Sequence, residues 1–136
     1  MNTQNYASLE ACKRLVDAGI VLKTDFYWYL PHKPTMCGKT TWFIERKYYL
    51  LVYTEMFPAP SMAEVWRELP ETYEAETRHL ELQVDKIKRV DGVTVTSANY
   101  IYNDAESGCC VYKFFAKENP TDALIDLLIW VKKEKL

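Results

Sequence analysis

Long apolar runs are missing from the sequence, and the run in its last helical segment extends only from Leu127 to Val131. A membrane-spanning helix needs roughly 20 apolar residues, so this run is far too short. The first residues, MNTQNYASLEA, also lack the basic start and the apolar core of a secretory signal. These absences predict a cytoplasmic protein that does not engage a membrane.

A strong charge of one sign is also missing. The 17 Lys and Arg residues nearly balance the 19 Asp and Glu residues, which gives a net charge of −2. The chain therefore has no global basic field that would attract nucleic acid or an anionic membrane, although local patches stay possible.

Motifs for catalysis or ligand binding are missing as well. Gly38-Lys39-Thr40 resembles the end of a phosphate-binding loop, but Lys33 stands where the first glycine should be, and a strand-like segment follows. His32 and His79 have no partner at a metal-ligand spacing, and the cysteines show no CxxC pair. Reduced, mostly buried thiols are expected. We therefore predict no catalytic residues, no metal and no cofactor, and favour a non-enzymatic role while leaving enzymatic activity open.

The sequence does contain a clear succession of helix and strand patterns. Helices are predicted from about 9 to 18 behind Ser8, after a Ser61–Glu64 capping box, and from Asn119 onward. Strand patterns occupy DFYWYL, TTWFIE, KYYLLVYTEMF, HLELQVDKIKRV, VTVTSANYIY and CCVYKFFA. Runs of adjacent strands predict a single α+β domain over residues 1–136. We expect a mainly antiparallel sheet of about four to six strands with three helices packed on it.

Local patterns give more detailed expectations around two of these elements. Asp91-Gly92 predicts a two-residue type I′ hairpin turn, but that turn would pair Lys88 with Val95, so we also predict a bulge near residues 85–88. On the second helix, helical spacing of the apolar residues predicts that Trp66 and Leu69 are buried against the sheet. The carboxylate-rich stretch that follows it, residues 71–76, is interpreted as a polar linker.

Aromatic strands beside basic residues form a possible binding surface. Its members are Tyr27, Tyr29, Lys33, Lys39, Arg46 and Lys47. Exposed tyrosines could stack nucleic-acid bases, with the lysines and arginine contacting phosphates. The alternative is ordinary core packing, since aromatic residues are common in buried strands.

The last helix is apolar on nearly every side. At about 100° per residue, only Asp122, Asp126 and Lys133 cluster together, and apolar residues take the rest of the circumference. One sheet face covers little more than about 100° of a helix, so a further surface must cover the remainder. The first helix could do so within one chain. A second copy could also do so, and we predict a homodimer whose interface includes Ile125, Ile129 or Trp130.

Two segments resemble a group of small uncharacterised proteins encoded by phages, prophages and mobile elements of gut bacteria. The segments are FPAPSMAEVWRELP and NPTDALIDLLIWVKKEKL, and both are helix signatures without active-site residues. The resemblance implies an origin, and no catalytic residue follows from it. The leading hypothesis is a non-enzymatic interaction or accessory protein of phage or mobile-element type, oligomeric and with an unidentified protein partner. The alternatives are a nucleic-acid-binding module and a small-molecule enzyme with an unrecognised site.

Overall fold

A computed structural model describes residues 5–31, 42–46, 53–75 and 78–134 of the chain. The elements are α1 (Leu9–Asp17), β1 (Phe26–Pro31), β2 (Phe43–Arg46), β3 (Tyr53–Pro58), α2 (Met62–Glu68), β4 (Thr72–Ala75), β5 (Arg78–Lys88), β6 (Thr94–Asp104), β7 (Gly108–Lys117) and α3 (Pro120–Glu134). The described strands form two antiparallel sheets, with the orders β2-β1-β3 and β4-β5-β6-β7. The predicted α+β class is confirmed, and the strands are divided between two sheets.

The helices begin at the residues that the sequence indicates. Ser8 precedes α1, and its side chain accepts a hydrogen bond from the backbone N–H of Ala11 at 3.2 Å. Ser61 and Glu64 form the complete capping box at the start of α2. The side chain of Asn119 caps α3 by accepting from the first backbone N–H groups of that helix. These side chains satisfy N–H groups that have no partner inside the helix, which is why a short sequence pattern predicts them.

The hairpin between β5 and β6 closes with a longer loop than predicted. The N–H of Gly92 donates to the carbonyl of Arg89 at 2.9 Å, and the N–H of Arg89 donates to the carbonyl of Val93 at 2.8 Å. The loop therefore spans residues 90–92, and Gly92 has a φ of 87°. Glycine enters this left-handed conformation without steric strain, as three-residue hairpin loops require. The predicted two-residue type I′ turn is wrong.

The additional loop residue shifts the strand register by one position. Lys88 faces Thr94, and Ile87 faces Val95, so polar and apolar side chains are matched. The register then continues without a shift to the far end of the β5–β6 pairing. The predicted bulge near residues 85–88 is wrong, because the mismatch that suggested it came from the wrong loop length.

A bulge occurs instead in β7. Where β6 advances by one residue, β7 advances by two, so Tyr112 is an extra residue in the ladder. Side chains of a regular strand alternate between the two faces of the sheet. The extra residue therefore places Val111 and Phe114 on the same face, although they are three positions apart.

The stretch after α2 is not only a linker. Residues Thr72–Ala75 form β4, the edge strand that pairs with β5. Tyr73 of this strand points toward the core, where its ring lies 5.9 Å from the ring of Tyr100. The carboxylates of this stretch favour a linker, whereas the alternation of Tyr73 and Ala75 with polar residues is typical of a strand.

The short helix α2 buries only part of its apolar stripe. Val65 and Leu69 are buried, as predicted for Leu69, but Trp66 is 41% exposed. The prediction that Trp66 is buried against the sheet is wrong, because α2 packs mainly on α3 and its two turns present only a narrow strip to that helix, with Trp66 outside it.

Helix α3 lies at the centre of the molecule. It packs on β6 and β7 of the four-stranded sheet, and it also contacts α2 and α1. Its buried residues are Thr121, Asp122, Ala123, Leu124, Ile125, Leu127, Leu128 and Val131. Polar contacts join it to α1, since the N–H of Ser8 donates to the Asp122 carboxylate at 2.8 Å and Arg14 pairs with Asp126 at 2.8 Å. The chain itself thus covers most of the apolar circumference of α3.

Within the described ranges, no helix combines the length and the apolar character that crossing a bilayer requires.

The loop geometry predicts the effect of replacing Gly92. We expect Gly92→Val to lower the free energy of unfolding by about 1–3 kcal/mol, because a β-branched residue is strained at positive φ. Gly92→Asn should lose less, since asparagine tolerates this conformation better. Thermal and urea unfolding check both variants, and equal stability of Gly92→Val and the wild type would contradict the assigned loop.

Candidate functional site

The strand registers divide the four-stranded sheet into two chemically different faces. Leu80, Tyr100 and Phe115 belong to the face that packs toward α3 and the core. We call the opposite side the outer face. Its members are Thr72 and Glu74 on β4, His79, Glu81, Gln83, Asp85 and Ile87 on β5, Val95, Ser97, Asn99, Ile101 and Asn103 on β6, and Cys109, Val111, Phe114 and Ala116 on β7.

One side of the outer face is apolar. Phe114 is 60% exposed and Val111 is 54% exposed, and both are on β7. Ile101 of β6 lies directly across from Val111 in the ladder. These three side chains form a contiguous apolar surface, which we call the β7 patch.

The other side of the outer face is acidic. Glu81 and Asp85 point outward from β5, and Glu74 points outward from β4. The lysines and the arginine of these strands all belong to the other face, the one that packs toward α3. They are Arg78, Lys86, Lys88, Lys113 and Lys117. The strands therefore present carboxylates but no lysine or arginine on the outer face.

Small polar residues of β6 occupy the strip between the acidic side and the β7 patch. Ser97 and Asn99 are buried. Ser97 Oγ donates to Asn99 Oδ1 at 2.5 Å, and Asn99 Nδ2 donates to Asp85 Oδ2 at 3.3 Å. This chain of hydrogen bonds orients the Asp85 carboxylate. Gln83 of β5 and Phe114 of β7, which face Asn99 on either side, have longer side chains than the β6 residues between them.

His79 adds a titratable cation to the acidic side. Its Nδ1 contacts Oε1 of Glu74, the residue directly across the β4–β5 ladder. The hydrogen bond with Glu74, and then the negative charge of that carboxylate, raise the pKa of the His79 imidazole above its ordinary value. Both side chains are exposed, so solvent screens their attraction.

A cleft opens where β5 and β6 diverge. Their pairing stops at Glu81 and Ile101, and beyond this point β5 continues beside β4 while β6 continues beside β7. The cleft has a volume of about 240 Å³ and is lined by Arg78, His79, Glu81, Ile101, Tyr102 and Asn103. The guanidinium of Arg78 lies 4.7 Å from the centre of the Tyr102 ring, which fixes the cation at the inner wall of the cleft.

The cleft does not bring a nucleophile and a base together. Cys109 faces Asn103 across β6–β7, and His79 is on β5, so the thiol and the imidazole are separated by at least two strand spacings, roughly 10 Å. A nucleophile and its base need hydrogen-bond contact of about 3 Å. Burial raises the pKa of the Cys12 thiol to about 12, which keeps that group protonated. The described part of the chain also has no group of three or more His, Cys, Asp or Glu residues arranged to hold a metal ion.

The aromatic surface predicted from the sequence is only partly described. Tyr29 is fully buried, and its hydroxyl donates to the carbonyl of Arg46 at 3.1 Å. Its ring is therefore not available to stack on a base. The Arg46 side chain faces Phe26, with its guanidinium 5.2 Å from that ring, on the opposite face of the sheet from Tyr27. Lys33, Lys39 and Lys47 lie outside the described residues.

The interface residues predicted on α3 differ in exposure. Ile125 is fully buried within this chain, so only Ile129 and Trp130 are within reach of solvent. These two residues line a surface hollow of about 220 Å³ together with Arg14, Phe115, Asp126 and Lys133. A neighbouring hollow of about 270 Å³ adds Asp17 and Ala18 of α1 and its C-terminal turn.

Sequence reasoning found the acidic side of the outer face but missed the β7 patch. The alternation of His79, Glu81, Gln83 and Asp85 indicates a polar face directly. Val111 and Phe114 are an odd number of positions apart, so simple alternation assigns them to opposite faces. Only the bulge at Tyr112 reverses that assignment, and no residue type at that position signals it.

Comparison with models of protein families, with curated proteins and with solved structures gives no match to this chain.

The contact between His79 and Glu74 predicts a measurable titration. The imidazole pKa is higher in the folded state than in the unfolded state. The contact therefore stabilises the fold fully below the unfolded-state pKa, and this stabilisation is lost as the pH rises through the folded-state pKa. We expect Glu74→Gln to lower the pKa of His79, measured by NMR titration of the imidazole, whereas Glu106→Gln should leave it unchanged. An unaltered His79 pKa in Glu74→Gln would contradict the assigned pair.

Proposed function

We propose that this protein is a non-enzymatic interaction protein of phage or mobile-element type that functions as a homodimer. The observation that carries the proposal is the pair of neighbouring hollows beside α1 and α3, which together we call the α1–α3 hollow. Ile129 and Trp130 are partly exposed there, between charged side chains of both signs. The phage-type origin rests on the resemblance of residues 57–70 and 119–136 to phage-encoded proteins. The separation of Cys109 from His79 supports a role without catalysis.

The charges around the hollow suit contact with a second copy. Lys133 and Asp17 lie at its margin, beside the Arg14–Asp126 pair that forms within the chain. A twofold axis brings the same surface of each subunit face to face, so a self-complementary surface needs both charge signs around an apolar centre. The hollow has this composition. The dimer contact is therefore assigned to Ile129 and Trp130, and buried Ile125 supports them from within α3.

Substitution of Ile129 tests the dimer. We expect the wild type to be dimeric at micromolar concentration by light scattering, and Ile129→Lys to be monomeric because a cation would enter the apolar centre of the interface. The expected weakening is on the order of tenfold or more. Val90→Lys is the matched control, since Val90 is fully exposed in the β5–β6 loop, and it should leave the dimer intact.

A second variant separates loss of the dimer from loss of folding. Lys133 is exposed, and Lys133→Glu should weaken the dimer without changing the melting temperature of the isolated subunit. A wild-type protein that is monomeric throughout the micromolar range would contradict the homodimer. Unchanged dimers in both variants would contradict its location.

A further inference from the structure

The outer face of the four-stranded sheet has an apolar side and an acidic side. The β7 patch lies on one side, and Glu81 and Asp85 lie on the other; we call these two sides the apolar wall and the acidic wall. Buried Ser97 and Asn99 of β6 lie between them. Strands β5 and β7 are two strand spacings apart, roughly 10 Å, which is about the diameter of an α-helix with its side chains.

We propose that a basic amphipathic helix of another protein docks along β6 on this outer face. This inference rests on the proposed role as an interaction protein and names the class of partner. The apolar stripe of the helix contacts Val111 and Phe114, and its lysines or arginines lie beside Glu81 and Asp85.

Charge complementarity selects this partner over others. The sheet places its lysines and arginine toward the α3 side, so carboxylates on the outer face have no cation of the same face beside them except His79. Phosphates of a nucleic acid would be repelled by Glu81 and Asp85, because such binding depends on neutralising phosphates with cations. A second copy docking through its own outer face would bring the same carboxylates, and like charges would repel. A helix with both lysines and apolar residues satisfies both walls.

The apolar wall explains why charge alone would be insufficient. Phe114 is 60% exposed, and a large aromatic side chain with this exposure supplies contact area at little entropic expense. Asp85 is held by Asn99, so one acidic contact is already oriented before a partner arrives. A partner must therefore carry apolar and basic side chains at the spacing of the two walls, and charge alone is not sufficient.

Two synthetic peptides test the proposal on the full-length protein. Both are fluorescein-labelled amphipathic helices with the same leucine stripe, one with lysines and one with glutamates on the polar side. Fluorescence anisotropy should show binding of the lysine peptide only, and added salt should weaken it. Phe114→Ser should reduce the affinity on the order of tenfold, and Glu81→Gln combined with Asp85→Asn should reduce it by a similar factor.

A control with the same change in net charge makes the result specific. Glu10→Gln combined with Glu68→Gln removes two exposed carboxylates from α1 and α2, and it should leave the affinity unchanged. The proposal is overturned if the lysine peptide does not bind, or if the control variant weakens binding as much as the outer-face variants do. Light scattering on the same samples reports the dimer separately, so peptide binding to a monomeric wild type would reject the dimer and retain helix docking on the outer face.

Discussion

The enclosure of α3 is the constraint on which the rest of the structure depends. This helix is apolar around most of its circumference, so it must be covered by more than one surface. The four-stranded sheet covers one side, and α1 and α2 cover others. Because one face of the sheet is used for this purpose, its opposite face is left to carry polar and exposed apolar side chains. The position of α3 thus determines which residues are available for partners.

Polar contacts between α1 and α3 make this arrangement specific. Asp122 is buried, and it accepts a hydrogen bond from the N–H of Ser8, the residue that caps α1. Asp126, four residues after Asp122 on α3, pairs with Arg14, six residues after Ser8 on α1. Buried Asp122 would destabilise the fold if it lost its partner, and the partly exposed Arg14–Asp126 pair adds a second contact. Together the two contacts favour one alignment of α1 on α3 over neighbouring alignments. The same alignment forms the hollow around Ile129.

The sequence predicted the features that depend on neighbouring residues in the chain. The caps at Ser8, Ser61 and Asn119 are local hydrogen bonds, so residue type and spacing were sufficient. The hairpin was placed correctly, but its loop was one residue longer than expected, and this changed every pair between β5 and β6. The exposure of Trp66 and the bulge at Tyr112 depend on packing across the molecule. A pattern within one segment carries no information about such contacts, and the β7 patch was missed for that reason.

The most direct test of the central role of α3 is hydrogen exchange of backbone amides at a dilution where the chain is monomeric. If the chain itself covers this helix, the amides of Leu124, Leu127 and Leu128 should exchange only through global unfolding, as slowly as the central residues of β6. Exchange of the α3 amides through local opening, while β6 stays protected, would contradict the account.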